Sequence, residues 1–262
     1  MPPSRLTQAA TEHLRQIAAL DPDPVHLARA LRYLAKWRSE LMGATLAKRS
    51  GRRVLSGPFK GMDYGLPATE GAFAARLLGI YEASLHPVIE TIIARAYPLV
   101  IDIGCAEGYY AVGLARRMPA SRILARDQNP TAQRRCRELA ARNAVQVEVG
   151  GRMDHADFAQ CADQPTVIVC DIEGAEADLL DPAAAPGLRH ADILVECHDT
   201  LQRGLSDLVA SRFAATHQIT RLARHLDPSL PDWMEEMSDI DRLIALWEWR
   251  TGPTPWLWME AK

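Results

Sequence analysis

The sequence predicts an α/β fold: a doubly wound, mostly parallel sheet with helices on both faces, preceded by a helical N-terminal extension and a short hairpin. Three observations predict it. Apolar runs of strand length recur from Leu99 onward, the segments between them have helical periodicity, and the first run ends in a glycine-bearing turn. Such a rhythm gives parallel pairing, because a parallel neighbour needs a crossover long enough to hold a helix. With 48% hydrophobic residues, the 262-residue chain can bury a full core.

The elements run in order. Residues 25–48 place Leu27, Leu31, Leu34, Trp37, Leu41 and Met42 at helical spacing, after a start signal in Asp21-Pro22-Asp23-Pro24. This helix lies outside the α/β run, so it either packs on that fold or pairs two subunits into a homodimer. Residues 52–55 and 60–64 flank Ser56-Gly57-Pro58 and read as a hairpin. Residues 70–95 read as a helix broken near Pro87. Strands then fall at 99–104, 122–127, 145–150, 166–171 and 192–197, with helices at 109–117 and 131–143. Five of the six tryptophans follow residue 232, and 254–262 reads as a last strand. The expected division is an extension with hairpin, 1–69, and a main domain, 70–262.

Composition excludes several classes. Cys105, Cys136, Cys161, Cys170 and Cys197 form no CxxC pair and are odd in number, which argues against a zinc ribbon or a disulfide scaffold. No apolar run approaches the ~18 residues of a membrane span, and the start lacks a signal-peptide core. The expectation is a reduced, cytoplasmic protein with no membrane partner. A net charge of -3 points away from nucleic acid. Residues 1–60 carry 11 Lys/Arg against 4 Asp/Glu, and the remainder 19 against 29, so the extension is basic and the main domain acidic. That basic start reads as a solvated helical face, a subunit contact or a site for an acidic ligand. Arginine outnumbers lysine 26 to 4, as expected of a GC-rich bacterial genome.

Open α/β sheets bind ligands at the carboxyl ends of their strands. The first such turn is Asp102-Ile-Gly104-Cys105-Ala106-Glu107-Gly108, running into Tyr109 and Tyr110. A dinucleotide turn would read GxGxxG and leave room for a pyrophosphate. Here an acid stands two residues before the first glycine, where it would repel a pyrophosphate and attract an ammonium group. The stretch VIDIGCAEGYYAVGLA resembles motif I of the class I S-adenosylmethionine-dependent methyltransferases, a Rossmann-like family, with Ala106 where the middle glycine usually stands. The resemblance implies S-adenosylmethionine as cofactor. It places the 102–110 turn around that cofactor, and Asp127, with Gln128 beside it, on the ribose hydroxyls.

The fourth strand ends in Asp171-Ile172-Glu173-Gly174-Ala175-Glu176 and the fifth in Glu196-Cys197-His198-Asp199. Neighbouring strand ends lie about 5 Å apart, so these groups should share one rim. DIEGAE resembles the FkbM-like branch of the same family, and the resemblance covers about residues 99–199. Three readings stay open for the rim. Asp171 and His198 act as base and orienting groups, Asp171 also touching the cofactor; or Asp171, Glu196, His198 and Asp199 hold a divalent metal, the less favoured case; or the acids cap helices, Glu173 and Glu176 first among them. Tyr81 and Glu82, on the helix before the first strand, and Tyr64, at a hairpin over the mouth, join Glu173, Glu196 and His198 as expected acceptor-binding residues.

The expected function is methylation of a small-molecule acceptor, at a hydroxyl first and at an amine second. The alternatives are a nicotinamide oxidoreductase, disfavoured by the missing GxGxxG, and a cofactor-binding scaffold without chemistry.

Overall fold

The computed structural model describes residues 3–65, 73–227 and 229–262. Seven strands form one sheet in the order β3-β2-β1-β4-β5-β7-β6. These are β1 (Leu99–Ile103), β2 (Arg122–Arg126), β3 (Glu148–Gly150), β4 (Thr166–Cys170), β5 (Ala191–Glu196), β6 (His217–Leu222) and β7 (Trp256–Ala261). The first five pair in parallel, and β7 inserts antiparallel between β5 and β6. Strand β6 has no counterpart in the sequence reading. Half of its side chains face solvent and arginine and threonine sit among them, so no continuous apolar run marks it.

The sheet is buried on both faces, as its apolar runs require. Val100, Val167, Val169 and Leu194 point into one core with α4 (His86–Arg95) and α5 (Tyr109–Arg117). Ile101, Ile168, Ile193 and Val195 point into the other, with Phe158, Leu188 and α8 (Leu205–Phe213). Helix α6 (Pro130–Arg142) starts at Asn129, whose side chain accepts the Thr131 N–H.

The extension forms two helices, α1 (Arg5–Ala18) and α2 (Pro24–Ser50). Helix α2 packs on the same chain: Ser39, Met42, Gly43 and Leu46 are buried, and Arg38 makes a two-pronged ion pair with Asp241 on α9 (Asp239–Leu246) at 2.6 Å. Leu27 and Leu31 of the same helix stay exposed.

Three expectations are corrected. The 52–64 segment is no two-stranded hairpin: a single antiparallel bridge joins Arg53 and Asp63, and Val54, Phe59 and Met62 are buried beneath it. The helix expected over 70–95 is two, α3 (Phe73–Leu78) and α4, with residues 70–72 and the 69/70 boundary outside the described residues. The break falls at Gly79 and Glu82, both with positive φ, and Pro87 instead opens α4, where its missing N–H costs nothing. No described helix is long and apolar enough to cross a membrane.

Candidate active site

The strand order reverses between β1 and β4, and a cavity of about 340 Å³ opens there at the carboxyl edge of the sheet. Gly104 takes φ +82, and a Cβ on it would overlap the Asp171 carbonyl oxygen. Glycine is therefore what lets the end of β4 pass against the first turn, and the Asp171 N–H fastens the two by donating to Ile103 O at 2.9 Å. Ala106 adopts φ +46 with a side chain present. Asp127 holds it there, Oδ2 accepting the Ala106 N–H at 3.0 Å while Oδ1 accepts the Asn129 N–H at 2.7 Å. The Gly104 and Cys105 amides donate to Arg126 O, and that of Gly108 to Cys105 O. Four amides of the turn thus have protein acceptors.

Asp102 is buried, its Oδ2 accepting the Ala111 N–H at 2.9 Å inside the first turns of α5. Burial pushes its pKa up to about 7; the Ala111 amide opposes that shift and the charge of Asp127 adds to it. A cationic group arriving in the cavity would restore the carboxylate.

His198 organises the opposite wall. Its Nδ1 lies 2.6 Å from Oε1 of Glu176, which is fully buried and also accepts the Gly174 N–H at 3.1 Å. A carboxylate only accepts, so this contact puts a proton on Nδ1 and turns Nε2 to the cavity. There Nε2 stands 3.3 Å from Glu173, 3.6 Å from Asp171 and 4.0 Å from Glu196. Burial opposes the imidazolium, but the Glu176 hydrogen bond and the charges of Glu196, Glu176 and Glu173 outweigh it, and the His198 pKa rises above its ordinary value. Burial would raise Glu176, yet the bonds from His198 and the backbone pull it below the usual range. Asp171 is pushed well up by burial and by Glu196, Glu82 and Glu173.

Behind this wall Arg250 binds Glu82, Glu196 and Glu248, and Glu82 also accepts from the Tyr110 hydroxyl. Burial and the Glu196 charge push Glu82 up to about 7 even so. Trp249, next to Arg250, sits at φ +66 and is latched by α2: its indole N–H donates to Ser39 Oγ at 3.1 Å, and its carbonyl accepts from Arg32 at 2.5 Å. Glu82, Ala106, Glu173 and Trp249 are four of the seven described non-glycine residues at positive φ, and all four line or back the cavity. Strain of this kind gathers where surrounding structure holds it for a purpose.

The structure brings Asp102, Gly104, Cys105, Ala106, Glu107, Tyr109, Tyr110, Tyr81, Asp171, Glu173, Glu196 and His198 to one cavity. Gly108 caps α5, where a Cβ would stand 2.7 Å from Cys136 Sγ. Asp127 and the exposed Gln128 lie outside the lining, because Asp127 is turned under the turn it braces. Tyr64 is not at the mouth: it is fully buried, its hydroxyl bonded to Glu107, which also pairs with Arg76. Tyr81 and Glu82 occupy the bend after α3 and no helix, and only Tyr81 reaches the cavity. Asp199 faces away and caps α8, accepting the Ser206 N–H at 2.8 Å and hydroxyl at 2.7 Å. Asp171, Glu196 and His198 do offer ligand atoms within 4.8 Å of one another, so they can accommodate a divalent cation.

Sequence reasoning missed Arg32, Lys36, Arg76, Glu248, Trp249 and Arg250, and read Glu176 as a cap. The basic charge of the extension was the one signal for Arg32 and Lys36. The others sit away from the strand-end motifs and carry none.

No protein-family model and no curated protein matches the sequence. Among solved structures, the chain is similar to an O-methyltransferase from Bacillus cereus in complex with SAH, at 12% identity over 98% of this chain and 100% of that one, with a TM-score of 0.47. It is similar to a proposed O-methyltransferase from Klebsiella pneumoniae at 13% identity over 98% and 100%, TM-score 0.46. A third is the C-terminal domain of a precorrin methyltransferase from Rhodobacter capsulatus, at 14% identity over 68% and 89%, TM-score 0.42.

Proposed function

We propose that this chain is a methyltransferase of the FkbM-like branch that methylates a hydroxyl of a small molecule. S-adenosylmethionine, when bound, supplies an electrophilic methyl group on a sulfonium. The residues present suit that group: Asp102 favours an ammonium over a pyrophosphate, and the acidic wall favours a sulfonium. Asp127, outside the lining, would act on the ribose side by bracing the Ala106 turn.

The observation that carries the reading is the pair of contacts on His198. Glu176 fixes Nδ1–H, so Nε2 can accept the proton that an acceptor hydroxyl loses as its oxygen bonds the methyl carbon. Asp171 and Glu173 then stabilise the imidazolium that forms. An amine acceptor would need the same base and less help from it.

Titration with S-adenosylhomocysteine and with NAD tests the donor. Binding of the first and not the second is expected, and Asp127→Ala should weaken it by about 1.5–3 kcal/mol. NAD binding alone would sink the reading. Release of S-adenosylhomocysteine on turnover separates an enzyme from a scaffold. Activity abolished by chelation and restored by Mg²⁺ or Mn²⁺ would move Asp171, Glu196 and His198 from proton transfer to metal binding.

A further inference from the structure

The cavity is polarised. One side of it, around His198, gathers Asp171, Glu173 and Glu196. Another side is basic and comes from the N-terminal extension, where Arg32 and Lys36 stand four residues apart on one face of α2. The other two arginines of the lining are spent inside the protein, Arg76 on Glu107 and Arg250 on three glutamates. Arg32 and Lys36 are different. Arg32 donates to two carbonyls, Trp249 O at 2.5 Å and Arg250 O at 3.3 Å, which orient the guanidinium without neutralising it. The Lys36 ammonium stands 4.8 Å over the Trp249 ring. Among the described residues no carboxylate lies within 4.0 Å of either cation.

A lone surface lysine needs no partner. Two adjacent, half-buried cations lining the same cavity, which is otherwise rich in acids, create a positive edge that a neutral or cationic ligand would leave unused. The sheet order gives the edge its address. The groups read as donor-binding lie at the ends of β2 and β1, whereas the Trp249–Arg250 segment that α2 holds precedes β7, beyond β5. An acceptor spanning the cavity would reach from this edge to His198.

We propose that Arg32 and Lys36 bind the anionic group of the methyl acceptor, so that the acceptor is a small hydroxy or amino compound bearing a carboxylate or phosphate. This rests on reading the His198 side as the methyl-transfer site. The extension is then part of the acceptor site.

The test uses the full chain and its Lys36→Ala, Lys36→Glu and Lys36→Arg variants. S-adenosylhomocysteine is titrated first, and all four proteins should bind it within about twofold. Failure of the unaltered protein to bind it defeats the donor reading, whatever the acceptor titrations give. The loaded proteins are then titrated with acids and their uncharged amides: 4-hydroxybenzoate against 4-hydroxybenzamide, 3-hydroxybutyrate against 3-hydroxybutyramide, and O-phosphoserine against serine. At least one anionic member should bind about 10- to 100-fold more tightly than its neutral counterpart, the range for a charge-assisted hydrogen bond. Lys36→Ala should reduce that preference, Lys36→Glu should erase it, and Lys36→Arg should keep it. Equal binding of every pair overturns the proposal, as does a preference that survives Lys36→Glu. A tenfold loss of S-adenosylhomocysteine affinity in Lys36→Ala also overturns it, by assigning the cation to the donor's carboxylate.

Discussion

The two halves of the cavity are built by different means. The half at β1 and β2 is contiguous: Asp102, Gly104, Ala106 and Asp127 fall within one strand-helix-strand unit and are held by backbone hydrogen bonds. The half at β4, β5 and β7 gathers Glu82, Asp171, Glu176, His198, Arg250 and Lys36 from separate stretches, and side-chain charge holds it. The first half is fixed by local chain geometry and should keep its shape when a charge is altered, the loss falling on cofactor affinity. The second depends on a balance of buried charges and should not.

The largest expected effect is in the second half. His198→Ala should lower turnover by about 10²- to 10⁴-fold, as removal of a general base does, while S-adenosylhomocysteine affinity stays nearly unchanged. Wild-type turnover in that variant would erase the distinction between the halves.

Where the halves meet, Glu107 belongs to the turn by sequence but to a buried ion pair with Arg76 by contact. Glu107→Gln removes the carboxylate charge from a buried ion pair, which should cost about 3–5 kcal/mol in urea unfolding. A loss under about 1 kcal/mol would mean that the turn alone carries this region.

Glu176→Gln sharpens the role of charge. Glu176 raises the His198 pKa through its hydrogen bond and its charge, so the amide should lower it. A base works when neutral, so the rising limb of kcat/KM against pH starts above the ordinary histidine value of about 6.5 and should move to lower pH in the variant. The groups facing His198 in this balance are Asp171, Glu173, Glu176 and Glu196. The maximal rate should fall by about 10- to 100-fold. An unmoved limb with a reduced rate would assign the titration to another group.

The smallest effect tests the first half. Ala106→Gly relieves a positive φ that costs an alanine about 1–2 kcal/mol and adds unfolded-chain entropy worth about 0.5–1 kcal/mol. Thermal unfolding should show a gain of about 0.5 kcal/mol with unchanged cofactor affinity. A clear loss of stability would place structural work on the Ala106 methyl group.

The α/β class, five parallel strands within a few residues, and the contiguous turn were legible in the amino-acid order alone, because periodicity and glycine placement are local properties of the chain. Strand β6 stayed hidden, since an edge strand half in water has no apolar run to show. The helix break was expected at Pro87 because proline signals a stop, and only packing reveals that this one begins a helix. Tyr64 and Asp199 are the same kind of case: polar side chains beside a motif, which the fold spends on Glu107 and on the cap of α8. Only the folded chain settles that Glu176 meets His198 and that α2 carries Lys36 to the cavity. The contacts responsible join residues 22 and more than 200 positions apart, and no local preference of the chain encodes which buried charge finds which partner.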